Sequence, residues 1–171
     1  MSIVKIILLQ LFWYLSIKFG ETMLFPLIAC LLFLIDWLIF KKAYSLGKTY
    51  LLFSILLMIT GVMLDIFLSF LGLFLWERVF YPYELLSVWI IFPCYYYHFF
   101  QKFFGKKIIT FVVGAIFGPI AYLSGGNINN SFVINNSMNS YILLSILWGL
   151  FFSLSIYIFQ KKVMNTINET E

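Results

Sequence analysis

The side chains of this sequence that could do chemistry are few, and they stand inside long apolar runs. Asp65 follows the segment Gly61–Leu64, and no basic residue stands at the same depth in any other apolar run. An isolated carboxylate in hydrocarbon takes up a proton, finds hydrogen-bond donors or faces water. We therefore expect Asp65 to be protonated, to bond a neighbour such as Tyr122 or Gln10, or to face a wet cavity. Either a substrate or proton site or a structural link between helices would explain it.

Two further ionisable residues, Asp36 and His98, lie near the ends of their apolar runs. Asp36 stands about one helical turn before Lys41 and Lys42, so its side chain could reach the membrane interface and meet them. Alternatively, Asp36 pairs with His98, which we expect at a similar depth. His98 itself lies in the aromatic stretch 95–100, which is also typical of a plain interfacial belt.

The composition places these residues in a membrane protein. The chain has 171 residues, of which 63% are hydrophobic and 11% are charged, and its mean hydropathy is +1.01. Soluble domains are about 45–50% apolar and about 25% charged. The same numbers exclude a disordered chain. The basic residues form no clustered face, which argues against nucleic-acid binding.

Six apolar runs are long enough to cross a bilayer as helices, each close to the roughly 20 residues that a span needs. They cover residues 3–19, 22–40, 49–75, 83–100, 107–123 and 140–159. The sequence therefore predicts an all-α, polytopic bundle of six transmembrane helices. It forms a single domain over residues 1–162, followed by a polar cytoplasmic tail over residues 163–171. We expect the segment 124–139 to be a plain polar loop.

The basic residues predict the orientation. With the N-terminus inside, nine of the eleven basic residues fall in cytoplasmic segments, and Lys18 and Arg78 alone fall on the opposite side. Such an excess on one side is the positive-inside pattern of integral membrane proteins. The bundle is therefore expected to have both termini in the cytoplasm.

The fifth run has a glycine pattern that suits close helix contact. Gly114 and Gly118 form a G-x-x-x-G face, which lets another helix approach. Pro119 follows directly, so we expect the helix to kink or break there. Gly/Pro-interrupted membrane helices mark binding sites in some transporters, and they also occur in plain packing.

Two stretches of the sequence carry a recognisable pattern. They are the segment Pro82–Phe103, with Trp89, Phe92 and His98, and the Gly-Pro-Ile-Ala-Tyr-Leu-Ser-Gly sequence within Gly114–Gly125. The first resembles the central motif of a family of bacterial inner-membrane proteins, the domain of unknown function 2878, and the second is closely similar to another stretch of that family. Asp65 matches an aspartate in the third helix of the family. Residues 10–13 are similar to its N-terminal region, with Phe12 in place of a glycine.

The resemblance implies a place in the cell inner membrane and a link to membrane-lipid metabolism, because members are encoded near genes resembling fatty-acid-modifying methyltransferases. The leading hypothesis is an accessory or binding protein in membrane-lipid modification. Its hypothetical binding site comprises Gln10, Asp65, His98, Pro119 and Tyr122. We expect no cofactor and no metal, and we expect the lipid bilayer and other membrane proteins as partners.

Two other function classes stay open. Size, helix number and topology also suit the vitamin-binding subunits of energy-coupling-factor transporters, although the first helix lacks the alanine face by which those subunits dock. The other class is a membrane-embedded lipid-modifying enzyme that uses Asp65 or His98 as acid or base. The sequence carries none of the common hydrolase, metalloprotease or phosphate-loop motifs.

Overall fold

The computed structural model describes residues 3–44, 47–76, 80–129, 132–135 and 137–164, and these are almost entirely helical. The predicted helical fold is thus confirmed. The helices are α1 (Ile3–Phe19), α2 (Leu24–Tyr44), α3 (Gly47–Phe70), α4 (Tyr83–Ile91), α5 (Pro93–His98), α6 (Lys107–Ile128) and α7 (Met138–Phe159). A 3₁₀ turn, Phe100–Phe103, precedes α6, and a π-helical turn, Gln160–Met164, follows α7.

Four of these helices are long and apolar enough to cross a membrane, so the chain is a membrane protein. They are α2, α3, α6, and α7 together with the π-helical turn that follows it, and their apolar spans have 20, 24, 22 and 26 residues. At 1.5 Å per residue, 20 residues extend about 30 Å, which is the thickness of the hydrocarbon core. Their outer faces carry exposed leucine, isoleucine and phenylalanine side chains, as lipid contact requires.

The predicted fourth helix, residues 83–100, is not one continuous helix. The structure divides it at Phe92 into α4, with 9 residues, and α5, with 6 residues. Pro93 opens α5. Proline has no N–H to donate and its ring crowds the carbonyl one turn earlier, so the regular hydrogen-bond ladder is interrupted here.

Of the predicted kink or break at Pro119, the break is wrong, because α6 runs without interruption from Lys107 to Ile128 with Pro119 inside it. A kink at Pro119 stays a prediction. Close packing of α6 against α7 supports the helix across the missing hydrogen bond. The helix also continues past Leu123, where the sequence predicted its end. Asn129 then ties this end of α6 to α1, since its side-chain amide donates to the Ile17 carbonyl at 2.9 Å.

A short sheet joins two connections at this same end of the molecule. Strand β1 (Phe74–Trp76) pairs antiparallel with β2 (Phe132–Ile134), and Leu75 stands opposite Val133. The predicted third helix, 49–75, is too long at its end, because α3 ends at Phe70 and residues 74–76 form β1. The predicted plain loop 124–139 contains the end of α6 and a strand. The sheet fixes the ends of α3 and α6 relative to each other.

Glycines set the distance between α6 and α7, which share the most extensive helix contact of the fold. A Cβ on Gly114 would lie 2.7 Å from the Trp148 carbonyl oxygen, and one on Gly118 would lie 2.3 Å from the Trp148 ring. A Cβ on Gly149 of α7 would lie 2.7 Å from the Phe111 ring. The indole of Trp148 therefore lies directly on the α6 backbone, in space that a side chain would otherwise fill.

Candidate functional site

A fully buried carboxylate, Asp65, lies at the centre of the candidate site. It is placed about 27 Å from the start of α3 and about 8 Å from its end. Its Oδ1 accepts a hydrogen bond from the Tyr122 hydroxyl of α6, and its Oδ2 accepts one from the Tyr81 hydroxyl. The Trp89 indole Nε1–H of α4 donates to Oδ2 at 2.7 Å. Three donors thus surround Asp65, and such bonds are the means by which a buried polar group avoids a desolvation penalty.

Gly61 positions the indole that donates to Asp65. It lies one turn before Asp65 on α3, and a Cβ there would lie 2.2 Å from the Trp89 ring. The other side of the Trp89 ring stacks on Trp148, with ring centroids 5.8 Å apart and planes 9° apart. The indole is therefore held between α3 and α7, and its N–H is directed at the carboxylate.

Tyr81 contributes its hydrogen bond from the segment just before α4. Burial, and then the neighbouring Asp65 carboxylate, raise the pKa of the Tyr81 phenol well above its usual value near 10. The hydroxyl therefore keeps its proton throughout the physiological pH range and stays a donor. Tyr81 thereby links the α3–α4 connection to the interior of the bundle.

A cavity of about 660 Å³ extends from this carboxylate to the outside of the bundle. Its inner end is formed by buried side chains, including Asp65, Tyr122 and Trp148. Its outer end is formed by exposed residues of α1 and α6, including Gln10 and Phe117. The remaining lining is largely aliphatic and aromatic. Small-molecule sites commonly have this volume and this combination of an apolar lining with a few polar groups.

The mouth of the cavity lies halfway along the helices that form it. Gln10 is about 11 Å into α1, and Phe117, whose side chain is 63% exposed, is about 15 Å into α6. Positions halfway along a membrane-spanning helix are surrounded by hydrocarbon rather than water. The cavity therefore opens on the side of the bundle, halfway along α6.

The cavity brings together three of the five residues predicted for the site, namely Gln10, Asp65 and Tyr122. Pro119 is buried in α6 next to them, but it does not belong to the lining. His98 is the last residue of α5, and its side chain lies outside the part of the chain that the structure describes.

A known protein family matches most of this chain. The family described as protein of unknown function, DUF2878, matches residues 2–154. The chain belongs to this family. The family resemblance predicted from the sequence is thereby confirmed. No curated protein and no solved structure matches the chain.

Two partners of Asp65 in this DUF2878 protein, Tyr81 and Trp89, were not predicted as site residues. The sequence pointed to Trp89 only through the family motif, and it did not point to Tyr81. A buried carboxylate without a cation needs O–H or N–H donors. Tyrosine and tryptophan suit an apolar chain, because each has a largely apolar side chain that carries one such donor. Tyrosine and tryptophan residues in the segments that follow Asp65 are therefore the sequence feature that could have indicated these donors.

A second polar cluster joins α2, α3 and α5 at the other end of the DUF2878 bundle. The buried Tyr50 hydroxyl donates to Asp36 Oδ2 at 2.9 Å. The buried Cys94 thiol lies beside both groups. Tyr50 is thus a partner of Asp36 that the sequence did not predict.

Glu84, which was not predicted as a site residue, is also fully buried. It lies in the first turn of α4, where the positive end of the helix dipole favours a carboxylate. Its Cβ approaches Gly20 so closely that a Cβ on Gly20 would lie 2.9 Å away. Glu84 therefore packs against the end of α1, at the same end of the molecule as Asp65.

Proposed function

We propose that this protein binds a membrane amphiphile in the cavity that ends at Asp65, and that it acts as a binding or accessory protein of membrane-lipid modification in a bacterial inner membrane. The observation that carries the proposal is the sideways opening of a large apolar cavity whose inner end is polar. A ligand that enters there comes from the hydrocarbon region, so it must be lipid-like over most of its length.

The inner end of the cavity defines the other half of the ligand. Asp65 accepts hydrogen bonds, and Tyr122 presents a hydroxyl beside it. Gln10 offers both an amide N–H₂ group and a carbonyl oxygen near the mouth. These groups suit an amphiphile with a small uncharged or hydroxyl-bearing head group, because each can hydrogen-bond it without bringing a second charge into the membrane.

The test is native mass spectrometry of the protein purified in mild detergent, with identification of the lipids that stay bound. Ala121→Trp places a large ring in the cavity lining, and Ile116→Trp places the same ring on the exposed, lipid-facing side of α6. We expect bound lipid in the wild type and in Ile116→Trp, and its loss in Ala121→Trp. Equal lipid retention in both variants would contradict the proposal.

We further propose six membrane spans with both termini in the cytoplasm. In this arrangement α1 is the first span, and α4 and α5 together form the fourth. The distribution of basic residues supports it, with nine against two on the two sides. Single cysteines introduced at Lys48 and Met138 in a cysteine-free background test it, since a membrane-impermeant thiol reagent applied to intact cells should label only position 138.

A second function, a lipid-modifying enzyme, is favoured by one observation: Asp65 and the Tyr122 hydroxyl stand together at the inner end of the cavity. Such a pair can hold and transfer a proton. Lipid analysis of a deletion strain complemented with wild-type protein or Asp65→Asn separates the two functions. A lipid product that disappears in Asp65→Asn, while the variant still binds lipid, indicates the enzyme. A profile that both proteins restore indicates the binding protein.

A further inference from the structure

A second cavity, of about 320 Å³, lies where α6 begins and α7 ends, and the proposed lipid-binding function does not use it. Three of its lining side chains are the lysines Lys106, Lys107 and Lys161. No carboxylate belongs to the described lining. The cavity is therefore strongly positive, and a cavity of that charge suits an anion.

Two of these lysines converge on one aromatic ring. The Nζ atoms of Lys107 and Lys161 lie 5.7 and 5.9 Å from the centroid of the Tyr157 ring. Both ammonium groups therefore border the same ring, and each adds positive charge to this cavity.

The other polar groups of the cavity are arranged as donors. The Gly105 N–H donates to Gln160 Oε1 at 3.1 Å, so the amide N–H₂ group of Gln160 is the part left to bind a ligand. Gly105 makes this bond from a turn with φ of 74°. The helix α6 begins at Lys107 without a side-chain cap among the described residues, which adds the positive end of its dipole.

The hydroxyl groups in this cavity hold the two helices together. Thr110 Oγ1 donates to the Lys107 carbonyl at 2.8 Å and lies 2.9 Å from Ser153 Oγ. The bonds join the first turn of α6 to α7. The lysines and the amide are therefore presented by a fixed frame rather than by two independent helix ends.

We propose that this cavity binds the phosphate group of an anionic phospholipid. The ligand chemistry follows from the three ammonium groups, the amide and the helix start. Two observations favour a lipid over a free phosphate ion as the ligand. Part of the lining, Phe103 and Ile156, is apolar, and the site lies at the ends of two membrane-spanning helices. Basic pockets between the cytoplasmic ends of membrane helices are typical sites of anionic lipid head groups.

The experiment is native mass spectrometry of the full-length protein titrated with short-chain phosphatidylglycerol, with short-chain phosphatidylcholine and with inorganic phosphate. The test variant is K107Q/K161Q. A charge-matched control, K42Q/K48Q, removes two exposed lysines outside the cavity. A second control, K107R/K161R, keeps both charges and shows whether changes at these positions harm the fold.

We expect phosphatidylglycerol to bind the wild type and both control variants, and K107Q/K161Q to lose about tenfold or more in affinity. Phosphatidylcholine and inorganic phosphate should bind at least tenfold more weakly than phosphatidylglycerol. Equal affinity of K107Q/K161Q and K42Q/K48Q for phosphatidylglycerol would overturn the site. If inorganic phosphate binds as strongly as phosphatidylglycerol, the inference that the bound phosphate group belongs to a lipid is overturned.

Discussion

Replacing Tyr122 with phenylalanine removes one oxygen atom and tests the cluster around Asp65. The hydroxyl donates to Asp65 Oδ1, whereas Tyr81 and Trp89 both donate to Oδ2. The substitution therefore leaves one carboxylate oxygen without its described side-chain donor and does not change the fit of the ring. A hydrogen bond to a charged group contributes about 1.5–3 kcal/mol to the free energy of unfolding.

The expected loss is measurable as a fall in the unfolding temperature. For a chain of this length, 1 kcal/mol corresponds to roughly 2–4 °C, so Tyr122→Phe should lower the midpoint by about 3–12 °C. Two control variants calibrate this value. Tyr96→Phe removes a buried neutral hydrogen bond, to Ser155 at 2.6 Å, and should cost about 1 kcal/mol. Tyr157→Phe changes an exposed tyrosine and should stay within about 0.5 kcal/mol of the wild type.

A double-mutant cycle shows whether the loss comes from Asp65. An asparagine at position 65 keeps the shape and removes the charge, so the bond from Tyr122 becomes a neutral one. Tyr122→Phe should then cost at least about 1 kcal/mol less in the Asp65→Asn background than in the wild type. The assay is reversible unfolding of the purified protein in bicelles. Equal costs in the two backgrounds, within about 0.5 kcal/mol, would refute the reasoning.

Three further predictions concern the groups around this carboxylate. Gly61→Ala should lower the free energy of unfolding by about 1–3 kcal/mol through overpacking, and it should change the fluorescence of Trp89. An unshifted emission spectrum and unchanged stability would contradict the close contact between Gly61 and Trp89. Because the pKa of Tyr81 is raised, its stabilising effect is complete below about pH 10 and is lost as the pH rises further. The unfolding midpoint of the wild type should therefore fall more steeply between pH 9 and 12 than that of Tyr81→Phe, and parallel curves would count against this. Gly118→Ala should displace the Trp148 ring and lower the unfolding midpoint by several degrees, whereas Ile116→Ala, on the exposed side of α6, should change it little.

The long apolar runs predicted most of the fold, because in a membrane the backbone must satisfy its own hydrogen bonds and helices do so within one segment. The end of α1 at Phe19 was predicted to the residue. Local breaks were less predictable, since Pro93 interrupts a helix and Pro119 does not. The difference lies in tertiary packing: Pro119 stands in the part of α6 that packs tightly on α7, and a single sequence does not show that contact.

Part of the candidate site was also predictable from the apolar runs, because polar residues are conspicuous in them. Asp65 was recognisable because an isolated carboxylate in an apolar run needs a partner, and Gln10 and Tyr122 stand at suitable depths. The donors Tyr81 and Trp89 come from another segment of the chain, and Trp89 reaches Asp65 only because Gly61 leaves room for its indole. The helix arrangement that creates the cavity could not be read from runs that are apolar on every face.

Occupancy of the cavity in the membrane tests the central claim most directly. Cells that express the protein are fed a fatty acid with a photoactivatable diazirine group and irradiated, and the crosslinked residues are mapped by mass spectrometry. The proposal predicts crosslinks on buried cavity residues such as Trp148 and Phe152, and their loss in Ala121→Trp. Crosslinks confined to the outward-facing side chains Val112 and Ile116, with none inside the cavity, would contradict it.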